Sequence, residues 1–217
     1  MLINSSLLDI EGTLDSGNEA IKKSIEKWIK DNFKVEYLKI SDNPNDDAKY
    51  EVSAKQVSVY NRNITSLTNG LFVWKEAKEY FYCAYCDNLT SFEGAPKEVG
   101  GVFNCAYCDN LTSLEGAPKE VAGNFDCSWC ESLTSLKGAP KKVGGDFICF
   151  NCISLTSLKG APKKVGGDFD CDVCKSLKSL KGAPKEVVGN FYCNGCTSLK
   201  SKDLPAKTKI KGKILNN

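Results

Sequence analysis

Twelve cysteines stand in six Cys-x-x-Cys pairs, one pair every 22 residues: Cys83 with Cys86, Cys105 with Cys108, Cys127 with Cys130, Cys149 with Cys152, Cys171 with Cys174 and Cys193 with Cys196. A Cys-x-x-Cys is half of a tetrahedral zinc site, so neighbouring copies could supply four thiolates and the whole array three zinc sites or a cluster. Redox enzymes use the same spacing, but they want one exposed, tuned pair at a helix start rather than six equivalent copies. Disulfides need Cβ atoms about 3.5–4.5 Å apart, less than the roughly 4.8 Å step between neighbouring strands. The third chemistry is packing, with the first cysteine of each pair on an inward strand position and the second as a weak donor in a turn. Asn61 occupies the second cysteine's place in a degenerate copy upstream and favours this reading, because Asn bonds turn backbone and is a poor metal ligand.

The chain has no histidine. That removes the commonest general base and zinc ligand and every Ser-His or Cys-His arrangement. No phosphate-binding loop and no informative acid pair appears either, so the sequence points away from an enzyme and implies no cofactor.

The elements that carry the cysteines are short. In Asn124 to Gly145, Phe125 and Cys127 alternate with Asp126 and Ser128, as a strand with one buried face requires. Leu133 and Leu136 return inward, Gly138 and Pro140 prevent a helix, and Val143 closes the core before Gly144 and Gly145. A period of 22 residues is too short for a strand and a full helix, which predicts a flat coil with an extended or 3₁₀ return side. Stacking such coils predicts an α/β solenoid with a parallel β-sheet over residues 57–204, beginning with a worn coil at Val57–Tyr80. There Ile64-Thr-Ser-Leu67 precedes Leu89-Thr-Ser-Phe92 by 25 residues, three more than the period.

Residues 1–56 do not repeat and read as an N-terminal α+β cap. Ser16 and Glu19 have capping-box spacing, and Ile21, Ile25, Trp28 and Ile29 predict an amphipathic helix over about Asn18–Asn32, with Lys22, Lys23, Lys27 and Lys30 facing water. Strand-like alternation follows at Val35–Ile40 and Tyr50–Val59 around an acidic turn, Asp42–Asp47, which lacks the Gly and distal Glu of a calcium loop. Residues 205–217 read as a closing turn and edge strand guarded by Lys207, Lys209, Lys211 and Lys213. Met1 to Ile10 has no basic start or long apolar run, so the expected location is the cytoplasm, or a host's cytoplasm for a phage-encoded chain; no stretch has the length of a membrane span.

The run Phe-x-Cys-x-x-Cys-x-x-Leu-Thr-Ser-Leu, at Phe103–Leu114, Phe125–Leu136 and Phe147–Leu158, resembles the leucine-rich repeat of the short bacterial and tailed-phage type. The linking Leu-x-Gly-Ala-Pro-Lys-[Glu/Lys]-Val-x-Gly is similar to repeats of uncharacterised phage-associated proteins. The resemblance covers about residues 57–204. It implies a leucine-rich repeat fold, an Asn or Cys bonded to turn backbone at the position of Cys130, and a binding scaffold without common chemistry, such as a phage accessory protein engaging a host or virion component.

Residues between and after the cysteines vary from coil to coil while the inward ones do not. Tyr82, Tyr85, Tyr107, Trp129, Phe150 and Tyr192 are the aromatics of these outward columns, with Asp126, Asp170 and Asp172 as acceptors among them. Tyr and Trp anchor protein interfaces, which predicts a protein-binding sheet face. Self-assembly is the structural alternative: residues 1–130 hold 13 basic and 20 acidic side chains (−7) and residues 131–217 hold 16 and 7 (+9). The lysines after each Pro, with Lys137 and Lys159, form a basic stripe. Its lack of arginine, with Arg62 the only one in the chain, favours a solvated face over a nucleic-acid site.

Overall fold

The computed structural model describes residues 14–42, 50–59, 61–200 and 204–216. Residues Met1–Ile10 and most of the acidic turn lie outside them.

The helix α1 (Leu14–Asn32) begins four residues before the position expected, so that Ser16 falls within its span. Ile25 and Ile29, one turn apart on this helix, are fully buried. The chain continues into β1 (Phe33–Glu36), breaks at Tyr37, where φ is 57°, and resumes as β2 (Lys39–Asp42). Both pair antiparallel with β3 (Tyr50–Val59), which runs unbroken through residue 56 and pairs in parallel with β4 (Phe72–Tyr82).

From β4 onward all pairing is parallel, in a solenoid of about seven turns. The eleven residues of β4 carry two ladders at once: Glu76 and Ala77 pair with β5 (Glu98–Val99), while Tyr80 to Tyr82 pair with β6 (Val102–Asn104). Every later coil repeats both pieces. They are β7 (Glu120–Val121) and β8 (Phe125–Asp126), β9 (Lys142–Val143) and β10 (Phe147–Ile148), β11 (Lys164–Val165) and β12 (Phe169–Asp170), β13 (Glu186–Val187) and β14 (Phe191–Tyr192). The residues expected to form one closing strand are two, β15 (Lys209–Ile210) and β16 (Ile214–Leu215), one ending each ladder.

The return side, expected as extended or 3₁₀, carries this second ladder of short strands. Val143 does not merely close the core; it pairs with Val121 and Val165. Glycines between the ladders bend the chain where coils touch: a Cβ on Gly101 would lie 1.9 Å from the Glu79 carbonyl oxygen. The far side of the coil is made of turns. In one of these Ala139 N–H donates to the Leu136 carbonyl, and Gly138 supplies the φ of 91° that such a turn demands.

Each coil contributes the same interior. Phe81, Phe103, Phe125, Phe147, Phe169 and Phe191 stack with centroids 5.0–5.6 Å apart and planes within 16°. Beside them run the two cysteine columns, the leucines and the valines, nearly all without solvent exposure. At one end of this column Trp74 of β4 lies edge-on against Phe81, and Phe33 of β1 packs on both rings.

Candidate binding surface

Both cysteine columns face inward, and none of the twelve is joined in a disulfide. Their thiols are donors. Cys105, Cys149 and Cys171 donate to the carbonyls of Asp126, Asp170 and Tyr192 at 3.1–3.3 Å. Cys108, Cys130, Cys152, Cys174 and Cys196 donate to the carbonyl of the first cysteine in the preceding coil, at 3.1–3.3 Å. Burial pushes the thiols of Cys83, Cys105, Cys127, Cys149 and Cys171 well above their ordinary range. A thiolate, the metal-binding form, would forfeit the donated bond and face a carbonyl oxygen with negative charge. Among the described residues no three His, Cys, Asp or Glu side chains converge to hold a metal ion. Asn61 stands in the same turn as the second cysteines: its carbonyl accepts from Ile64 N–H as that of Cys86 does from Leu89.

The turn inside each Cys-x-x-Cys shapes the surface. Tyr85, Tyr107, Trp129, Asn151 and Val173 all have left-handed backbones, with φ between 54° and 61°, and Gly195 ends the column at 67°. Their N–H groups still donate to the next coil, as Trp129 does to the Phe150 carbonyl at 2.9 Å. This twist tucks the preceding residue under the turn. In that preceding column, expected to point outward, Ala106 and Ser128 are buried, while Ala84, Phe150, Asp172 and Asn194 stay half-buried.

Of the residues proposed to meet a partner, four form one strip. Tyr85 stacks on Tyr107 at 4.6 Å, Tyr107 on Trp129 at 5.6 Å, and Phe150 leans against Trp129 at 5.7 Å and 57°. The guanidinium of Arg62 lies 4.7 Å over Tyr85 and covers the first face of the stack. Arg62 was not expected here; the signal was its place next to Asn61 in the degenerate coil. With ring faces turned on one another, the strip offers ring edges to solvent, and Tyr85 and Trp129 are 43% and 36% exposed. Tyr82 is set apart, stacked on Tyr80 at 4.4 Å, and Tyr192 lies at the far end of the sheet, where its hydroxyl accepts from Asn190.

The three aspartates are occupied within the fold. Asp126 accepts from the Ser128 backbone N–H and hydroxyl, Asp170 from Asp172 N–H, and Asp172 from Asn194 N–H and side-chain amide. They fix strand-exit turns before they can serve a partner. Partial burial, helped by repulsion from Asp172, Asp168 and Asp126, raises the Asp170 carboxyl to about 6. A carboxyl raised on folding stabilises below its unfolded value near 3.9 and ceases to do so as pH climbs through 6. Asp170→Asn, which keeps the acceptor, should therefore flatten the stability decline across this window and raise the melting temperature at pH 7 by about 2–4 °C, discounted for partial exposure. Thermal melts at pH 4 and 7 check this; an unchanged difference between the two would refute it.

No family model, curated protein or solved structure matches the chain. Among the described residues no helix is long and apolar enough to cross a membrane.

Proposed function

We propose that the chain is a non-catalytic scaffold whose strip of Tyr85, Tyr107, Trp129 and Phe150 holds a protein partner. The observation that carries this reading is the left-handed backbone beneath three of the four, Tyr85, Tyr107 and Trp129. A left-handed conformation costs an ordinary residue about 1–2 kcal/mol, and Asn151 and Gly195 show that the same column accepts the two residue types that avoid most of it. Tyr and Trp stand there nonetheless, half-exposed, where stacking returns about 0.5–1.5 kcal/mol per pair. Rigid rings with few rotatable bonds lose little entropy on docking, and their outward edges bring Tyr hydroxyls and an indole N–H to a partner's polar groups. The phage-type resemblance of the repeats suits an accessory protein that engages a host or virion component.

The test is the double variant Tyr107→Asn/Trp129→Asn. Its melting temperature should stay within a few degrees of the parent, because strain relief offsets lost stacking. Affinity for a protein captured by the parent should fall at least about tenfold, the effect of losing one to two kcal/mol of anchor. Equal affinity of parent and variant, or failure of the parent to capture any protein, removes the proposal.

A further inference from the structure

A second surface lies at the opposite border of the two ladders, where the chain leaves the glycine turn and enters the Val-bearing strand. Three residue columns meet there. The first is lysine in five successive coils, Lys97, Lys119, Lys141, Lys163 and Lys185, and backbone bonds of 2.8–3.0 Å from each to the one before hold them in line. Their spacing is one strand step, about 4.8 Å.

The other two columns change sign at the same step. In the strand column, Glu98 pairs in register with Glu120, Glu120 with Lys142, and Lys142 with Lys164. In the turn column, Glu93 and Glu115 give way to Lys137, Lys159 and Lys181. One coil's trio Glu93, Lys97, Glu98 therefore sums to −1 (−1 + 1 − 1), as does Glu115, Lys119, Glu120. The trios Lys137, Lys141, Lys142 and Lys159, Lys163, Lys164 each sum to +3.

The first two coils show that the scaffold accepts a border of mixed sign near neutrality, although Glu98 and Glu120 are themselves a like-charged cross-strand pair. The central two abandon it, and Lys142 stacked directly on Lys164 is a repulsive cross-strand pair. Lys137 reaches back to Glu115 at 2.7 Å and Lys164 forward to Glu186 at 3.4 Å. Among the described residues no carboxylate comes within ion-pair distance of Lys141, Lys142, Lys159 or Lys163. Such a row gains stability when an extended anion lies along it.

We infer that this lysine border binds a nucleic-acid phosphate backbone without regard to base sequence. The row is linear along the solenoid axis, which fits a strand of phosphates better than a compact acidic patch. The chain's single arginine is at the aromatic strip, so no guanidinium fork is present to read bases. The flanking residues are Gly, Ala and Pro, with none of the aromatic anchors on which protein interfaces rely. Counterion release from the phosphates supplies the affinity. The site is independent of the aromatic strip, so either can fail without the other.

Fluorescence anisotropy of the full chain with labelled oligothymidylate tests the inference, using K141Q/K142Q/K163Q/K164Q as the variant. Binding should be measurable at about 50 mM salt and fall steeply towards about 200 mM. The variant should lose at least about tenfold in affinity, and its log–log salt slope should shrink by roughly three for the four phosphate contacts removed. Its melting temperature should equal or exceed the parent's, which separates lost binding from misfolding. Three results overturn the inference: no binding at the lower salt, equal binding by the variant, or polyglutamate competing as well as the oligonucleotide. The last of these assigns the border to an acidic protein segment instead.

Discussion

Phe147→Ala should destabilise the chain by about 3–5 kcal/mol and divide its unfolding into two transitions. Phe147 has no solvent exposure and lies between Phe125 and Phe169, 5.3 Å from each and within 7° of parallel to both. Truncation removes two stacked contacts and leaves a cavity that the neighbouring rings cannot fill, because each is held by its own coil. Coils touch only their neighbours, so a weakened rung separates the stretch carrying the cap from the stretch behind it. The three tryptophans, Trp28, Trp74 and Trp129, all precede the break, so their fluorescence reports chiefly on the first stretch, with Trp129 also sensing the broken rung through Phe150. Urea melts followed by fluorescence and by far-ultraviolet dichroism should coincide for the parent and diverge for the variant. Coincident curves, or a loss under about 1 kcal/mol, would show that the ring column is not what joins the coils.

The second large effect is expected from Gly167→Val, with Gly166→Val as its contrast. A Cβ on Gly167 falls 2.1 Å from Asp146 Oδ1, and that oxygen accepts from Asp168 N–H at 2.8 Å. The bond is one rung of a ladder in which Asn124, Asp146, Asp168 and Asn190 each receive the next coil's N–H. A valine there both overpacks the coil contact and expels the carboxylate, stranding a donor, for a combined cost of about 2–6 kcal/mol. Gly166 looks as crowded, since its Cβ would lie 2.1 Å from the Gly144 carbonyl oxygen. Yet Ala122 and Val188 occupy the equivalent place in other coils, making the same backbone bond to the coil before. Gly166→Val should therefore cost under about 1 kcal/mol. Guanidinium midpoints of the two variants decide it; equal losses would mean that the Asp146 rung contributes nothing.

How far the sequence speaks depends on the physical signal each residue leaves. The interior was legible, because alternation at Phe125 and Cys127 and its repetition in every coil leave one inward assignment, and each such residue is buried. The second ladder was not. A two-residue strand such as Lys142–Val143 has no period to detect, and Gly144 and Gly145 advertise a bend without saying what pairs beside it. The surface was only half legible for a related reason. The left-handed turn is marked in the column by Asn151 and Gly195, but the aromatics at Tyr85, Tyr107 and Trp129 hide it, and with it the burial of Ser128. Nor can composition say that Asp126, Asp170 and Asp172 turn their oxygens back to their own backbone rather than outward.

The single long strand β4, from which both ladders start, has a consequence for how such a chain can change size. From Phe103 to Phe191 the pairing keeps one frame of 22 residues: Phe103 meets Phe125, Phe125 meets Phe147, and Val121 meets Val143 in the same relation. Excising or duplicating one whole period between Phe103 and Phe191 rejoins equivalent partners on both ladders, with the helix-bearing end and the terminal strands untouched. The molecule can thus lengthen or shorten in quantised steps of one strand spacing at constant cross-section, shifting charges and rings along its axis like marks on a vernier scale.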